Sequence, residues 1–174
     1  MKTKQLTMDA MLAAMCAVLG YFSLNFGNLK FTFESLPVHV GALLFGPIDG
    51  MAVGGVGTLI YQILQYGLTM TTLLWILPYV LCGLVVGWYA KKMNFFLTGR
   101  QTIAIVVFNE LMITALNTGS LYIDSKIYGY YAPGFITSVL GLRLVICVIK
   151  AVAYGIVLPG VIKPVRRVFH LRSI

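Results

Sequence analysis

Glu110 and Asn117 stand seven residues apart in one apolar run of this chain, and Arg143 and Lys150 stand seven apart in the next. A spacing of seven returns to the same helix face, so each run carries two polar groups on one side. An ionised side chain at mid-bilayer costs at least ~2.5–3.5 kcal/mol on insertion scales and persists where it meets a partner or water. With the two runs antiparallel and each residue rising about 1.5 Å, Glu110 falls level with Lys150, and Asn117 level with Arg143. A Glu110–Lys150 contact is expected, and joining two helices is explanation enough for it. Arg143 has no acidic partner at its own depth. Its guanidinium suits the planar or carboxylate groups of a small molecule, so Arg143 and Asn117 point to a ligand cavity.

Other groups could line that cavity. Gln62, Gln65, Tyr66, Thr71 and Thr72 cluster at the end of a glycine-rich run and the connection after it, and Trp75 and Tyr79 are four apart on the following run. The aromatics also fit the belt that membrane proteins place at the lipid–water boundary. Glu34 is either a solvated loop charge or a carboxylate for the N–H edge of a heterocycle. His39, in an apolar stretch, reads as a helix-packing histidine. The three cysteines, Cys16, Cys82 and Cys147, lie in apolar segments without CxxC spacing, so no metal site is expected. Gly54-Gly55-Val56-Gly57 is followed by Thr58 and Leu59, which is not a phosphate loop. No HExxH, nucleophile elbow or carboxylate pair appears, and no cofactor is implied. An intramembrane enzyme built on Glu110 and His39 lacks a third partner. The chain is read as not an enzyme.

The elements that position these groups follow from composition. Of 174 residues, 59% are hydrophobic and 10% charged, and the mean hydropathy is +0.90. A soluble fold of this size needs more polar surface. The chain reads as an all-α integral membrane protein, residues 1–174 forming a single domain of six transmembrane helices. The expected spans are 6–26, 36–45, 51–66, 73–89, 102–122 and 136–158, with a turn at Gly46-Pro47 and Asp49-Gly50 and a polar loop through Asn25, Gly27, Asn28, Lys30 and Glu34. Six crossings put Lys2, Lys4, Lys91, Lys92, Arg100, Lys163, Arg166, Arg167 and Arg172 on one side, against Lys30 and Lys126 on the other. Basic residues stay cytoplasmic, so both termini are expected inside. The net charge of +8 then reports orientation and implies no nucleic acid. Small residues repeat at a spacing of four: Ala10 and Ala14, Ala13 and Ala17, Gly50 and Gly54, Gly83 and Gly87. Such pairs allow close helix approach in lipid. On the first helix an interface with another protein competes with internal packing.

The short basic start, Ala10-xxx-Ala14, the polar outer loop and Leu36-Pro37-Val38 … Gly41-Ala42-Leu43-Leu44-Phe45-Gly46-Pro47 … Gly50 resemble the substrate-binding S component of an energy-coupling factor (ECF) vitamin transporter. Nearly the whole chain is covered. That block, Gly83 to Gly87, and Leu116-Asn117-Thr118 followed by Arg143 are most similar to the folate branch, although Gly67-Leu68-Thr69-Met70-Thr71-Thr72 departs from that branch's loop. The resemblance implies high-affinity capture of a water-soluble vitamin at a prokaryotic plasma membrane. Import is then energised by a transmembrane coupling protein and two cytoplasmic ATPases. Ala10, Ala13, Ala14 and Ala17 would form the partner interface. Folate's carboxylates would suit Lys30, Lys126 or Arg143, and its pterin would stack on Trp75 or a tyrosine with an Asn117 hydrogen bond. Alternative cargoes are a thiamin precursor, riboflavin and pantothenate. A purely structural subunit would need no cavity.

Overall fold

The computed structural model describes residues 2–26, 29–132 and 134–168, with side chains for all of these except 2, 24–31, 135–139, 167 and 168. Gly27, Asn28, Pro133 and Arg172 lie outside the described residues, and the side chains of Lys2, Lys30 and Arg167 lie outside the described ones. Among the described residues the helices are α1 (Lys2–Tyr21), α2 (Ser35–Phe45), α3 (Pro47–Tyr66), α4 (Thr72–Lys92), α5 (Gly99–Ile127) and α6 (Phe135–Val168). Between α1 and α2 lie two short strands, β1 (Leu24–Phe26) and β2 (Leu29–Phe31). They pair antiparallel with Leu24 opposite Phe31 and Asn25 opposite Lys30. Helices alternate in direction, which gathers Lys4, Lys91, Lys92, Arg100, Lys163 and Arg166 at one end of the bundle, the basic end. The strands lie at the other, the hairpin end.

Three helical stretches are long and apolar enough to cross a membrane: α4, α5, and Leu140–Arg166 within α6. By contrast α2 has 11 residues, about 16 Å of helix, roughly half a hydrocarbon core. Residues Pro37 to Leu44 of it are all buried, so it is an interior helix packed against α1, α3, α4 and α6.

Local chemistry sets several boundaries. Pro47 opens α3, where a proline loses no intrahelical hydrogen bond, and Gly67 closes it at φ +73°, a conformation natural to glycine. A capping box opens α5: the Thr98 side chain accepts from the Gln101 N–H at 3.4 Å, and the Gln101 side chain accepts from the Thr98 N–H at 3.0 Å.

Several boundaries differ from the sequence expectation. The turn expected to run through Asp49-Gly50 ends at Gly46, since α3 starts at Pro47 and holds both residues in its first turn. The first apolar run does not stay helical to residue 26; α1 stops at Tyr21, and the loop expected beyond it includes the strand pair. Helices α5 and α6 extend past their apolar cores, to Ile127 and Val168, because hydropathy marks the lipid-buried stretch and not the end of the hydrogen-bond ladder.

The repeated glycines are where α3 and α4 touch. A Cβ on Gly83 would lie 2.2 Å from the Gly50 carbonyl carbon, one on Gly87 2.4 Å from Pro47, and one on Gly54 2.5 Å from the Tyr79 carbonyl oxygen. These two backbones are in direct contact. Helix α1 closes on α3 in the same way, since a Cβ on Gly57 would lie 2.5 Å from the Cys16 Cβ and 2.8 Å from the Ala13 carbonyl. Ala13 and Ala17 are buried within the bundle, whereas Ala10 and Ala14 are exposed. The four alanines proposed as one interface divide into an inner and an outer pair.

Candidate functional site

At the hairpin end α3, α4, α5 and α6 surround a cavity of about 420 Å³, within the usual size of small-molecule sites. Each wall is one face of one element. Helix α4 contributes Trp75 and Tyr79, and α5 contributes Ile113, Thr114, Asn117, Leu121 and Asp124, at the three- and four-residue steps of a helix face. From α6 come Arg143, Ile146, Cys147 and Lys150, and from α3 Tyr61, Gln62 and Tyr66. Thr32 and Glu34, beside the hairpin, Thr69 and Thr71 from the α3–α4 loop, and Tyr128 and Tyr130 after α5 complete it.

Of the sequence-derived candidates, Arg143, Asn117, Trp75, Tyr79, Glu34, Tyr66 and Thr71 all line this one cavity. Lys30 is on β2, but its side chain lies outside the described ones. Lys126 faces elsewhere, its ammonium 4.0 Å from the centre of the Tyr131 ring. Tyr61, Asp124, Tyr128 and Tyr130 also line the cavity and are not among the sequence-derived candidates.

The polar groups fall into two kinds. Some are already committed. Glu34, only 4% exposed, accepts from the Thr32 hydroxyl at 3.1 Å. Asp124 accepts from the Trp75 indole N–H at 3.4 Å and from the Tyr130 hydroxyl, fastening the end of α5 to α4 and to the loop beyond. Burial, then the adjoining Asp124 carboxylate, holds the Tyr130 phenol above its ordinary pKa. Lys150 pairs with Glu110 at 2.9 Å, the contact expected from the sequence.

Others are open. Arg143 donates from Nη1 to the Thr118 hydroxyl at 3.2 Å, yet its buried Nε has no hydrogen-bond partner among the described residues. The same is true of the buried Asn117 Oδ1. Leaving a buried polar group unsatisfied is costly. One unmatched donor and one unmatched acceptor at the same cavity mark where a ligand would gain most.

The family model "ECF transporter, substrate-specific component" matches residues 4–162. The chain belongs to that family. Family members are substrate-binding subunits of membrane transporters and not enzymes. UPF0397 proteins of Streptococcus agalactiae serotypes Ia and V are each 30% identical to this S component over 108 residues, covering 57% of it. The match spans 58% of the length of those relatives. Among solved structures it is similar to FolT bound with folic acid, at TM-score 0.68 and 21% identity over 89% of this chain and 91% of that one. It is also similar to the S component for biotin from an ECF-type ABC transporter, at TM-score 0.68 and 19% identity over 93% and 92% of the two chains. These likenesses establish the fold, that of a six-helix membrane protein.

Proposed function

We propose that this S component binds a water-soluble heterocyclic vitamin, folate first, in the hairpin-end cavity. It then passes the vitamin inward together with a transmembrane coupling protein and two cytoplasmic ATPases. The basic end, with both termini, faces the cytoplasm in this reading, so the cavity opens outward. The observation that carries the choice is that Glu34 and Arg143 line the same cavity with Trp75, Tyr79 and Asn117. A carboxylate can accept the adjacent N–H groups of an aminopterin edge, aromatic rings can stack on its face, and a guanidinium can take a carboxylate at the far end. The exposed Ala10–Ala14 pair offers the coupling protein a smooth surface for close approach.

A second cargo is favoured by a specific count. Glu34 and Asp124 both line the cavity, and Lys150 is occupied by Glu110, which leaves Arg143 as the cation without a carboxylate partner among the described residues. That balance also suits a thiamin precursor, with an N–H edge and no carboxylate.

Equilibrium dialysis of labelled folic acid against detergent-purified protein separates the two, with unlabelled thiamin precursor, riboflavin and pantothenate as competitors. Saturable folic acid binding that resists the competitors and is lost in Arg143→Ala and Asn117→Ala supports the folate reading. Displacement by the precursor, or no folic acid bound by folded protein, overturns it.

A further inference from the structure

Lys150 has two roles open to it. Its side chain reaches the cavity, about 10 Å deeper along α6 than Arg143, while its partner Glu110 lies behind it, 1% exposed. The ion pair is thus arranged with the cation toward the ligand and the anion away from it. Behind Glu110 stands a second basic group: His39 Nε2 is 4.0 Å from Glu110 Oε1, and that oxygen has no hydrogen-bond partner among the described residues.

The contacts around His39 match a neutral ring with its proton on Nδ1. Nδ1 lies 2.6 Å from the Ser35 carbonyl oxygen, which can only accept, so Nδ1 carries a proton. Nε2 lies 3.1 Å from the Asn109 amide nitrogen, a donor, so Nε2 is the acceptor and the ring is neutral. Asn109 Oδ1 is buried without a hydrogen-bond partner among the described residues. Two orphaned acceptors, Asn109 Oδ1 and Glu110 Oε1, therefore stand around one ring nitrogen that lacks a proton. If Nε2 gained that proton, a flipped Asn109 amide could accept from it, and Glu110 would acquire a cation.

We propose that Lys150 is a second anion-binding residue of the cavity, and that His39 takes over Glu110 when Lys150 turns to an anionic ligand, so that binding takes up one proton from water. The inference rests on the proposed binding of an anionic vitamin in this cavity. Charge stays balanced: before binding, Glu110 pairs with Lys150 and His39 is neutral; afterwards Lys150 pairs with the ligand and protonated His39 with Glu110. Without the proton a buried carboxylate would be left unpaired. The titratable groups around the cluster are Glu110 from α5, Lys150 and Tyr154 from α6, Cys82 from α4, Cys16 from α1 and Glu34 ahead of α2. Tyr61 of α3 stands beside Glu34. Affinity for the anion rises as pH falls, by up to about tenfold per pH unit.

The test has one arm without ligand and one with it. The chain has two histidines, so His170→Gln leaves His39 as the sole nitrogen-15 imidazole signal. At neutral pH that ring should be neutral and protonated on Nδ1. In Lys150→Met it should become imidazolium, and return to neutral in Lys150→Met with Glu110→Gln. A cationic or Nε2-protonated His39 beside intact Lys150, or one left neutral in folded Lys150→Met, overturns the proposal. The second arm is calorimetry with folic acid in buffers of differing ionisation enthalpy. About one proton should be taken up per folic acid bound, and none in His39→Gln. Binding without proton uptake overturns the proposal. If folic acid fails to bind, the cargo is refuted, and the ring signal still decides the exchange of partners.

Discussion

The glycines of the two halves of this bundle have opposite surroundings. On α3 and α4, a Cβ added at Gly50, Gly54, Gly83 or Gly87 would lie within 2.6 Å of another atom. On α5 and α6, one added at Gly119, Gly141 or Gly160 would meet nothing within 4 Å, and one at Gly155 would meet only the Ile103 side chain, from 3.3 Å. The first half is fused by backbone contact into a block that also holds α1 and α2. The second half is joined to it by side chains: Ile105, Val106, Ile113, Tyr154 and Leu158 share one apolar core with α2, α3 and α4, and polar clasps add Ser120 donating to the Leu74 carbonyl at 2.9 Å, Trp75 on Asp124, and Arg166 donating to the Leu43 carbonyl at 3.2 Å. Space for a ligand exists because close packing stops where the small residues stop being shared. The block provides a fixed wall, and α5 and α6 carry the groups that meet the ligand.

The largest effect should come from breaking the block. Gly83→Val forces a side chain into the Gly50 backbone and should cost about 3 kcal/mol or more, seen as loss of the monodisperse peak in size-exclusion chromatography. Next is Arg143→Ala. It removes the cation without a carboxylate partner and should weaken ligand binding about 100-fold or more with little change in melting temperature. Asp124→Asn keeps the shape of the clasp but weakens its charge-assisted bonds; ligand release should quicken roughly tenfold in stopped-flow measurements. The smallest effect sharpens the contrast from the other side. Gly141→Ala, in open surroundings on α6, should be tolerated and should stabilise the helix by up to about 1 kcal/mol, as a small rise in melting temperature with unchanged binding.

Much of this was legible from spacing. The seven-residue steps on two antiparallel helices placed Glu110 on Lys150 and brought Asn117 and Arg143 to one cavity, because depth and face are both set by helix geometry. The same step continues to Asp124, seven residues past Asn117. It lies beyond the expected span 102–122, because the apolar stretch ends near Tyr122 while the helix runs on to Ile127. The strand pair also had a signal, Gly27-Asn28 between Leu24-Asn25-Phe26 and Leu29-Lys30-Phe31, of the kind that joins strands. It was hidden by the apolar run leading into it. What spacing could not give is which alanine pair of α1 faces inward. That depends on Gly57, forty residues beyond Ala17, offering a groove on another helix. Tyr61 belongs to the cavity for a similar reason: it lies against Gly20 of α1 and beside Glu34, a juxtaposition that no local pattern encodes.

Trp75 lines the cavity while Trp88, 60% exposed, lies toward the basic end of the same helix, so a Trp88→Phe protein carries one tryptophan, at the site. Titrating that protein with folic acid should quench its fluorescence saturably, with the same midpoint as dialysis, and Arg143→Ala should abolish the change. Binding by dialysis with no change at Trp75 would place the substrate elsewhere and contradict the assignment of this cavity.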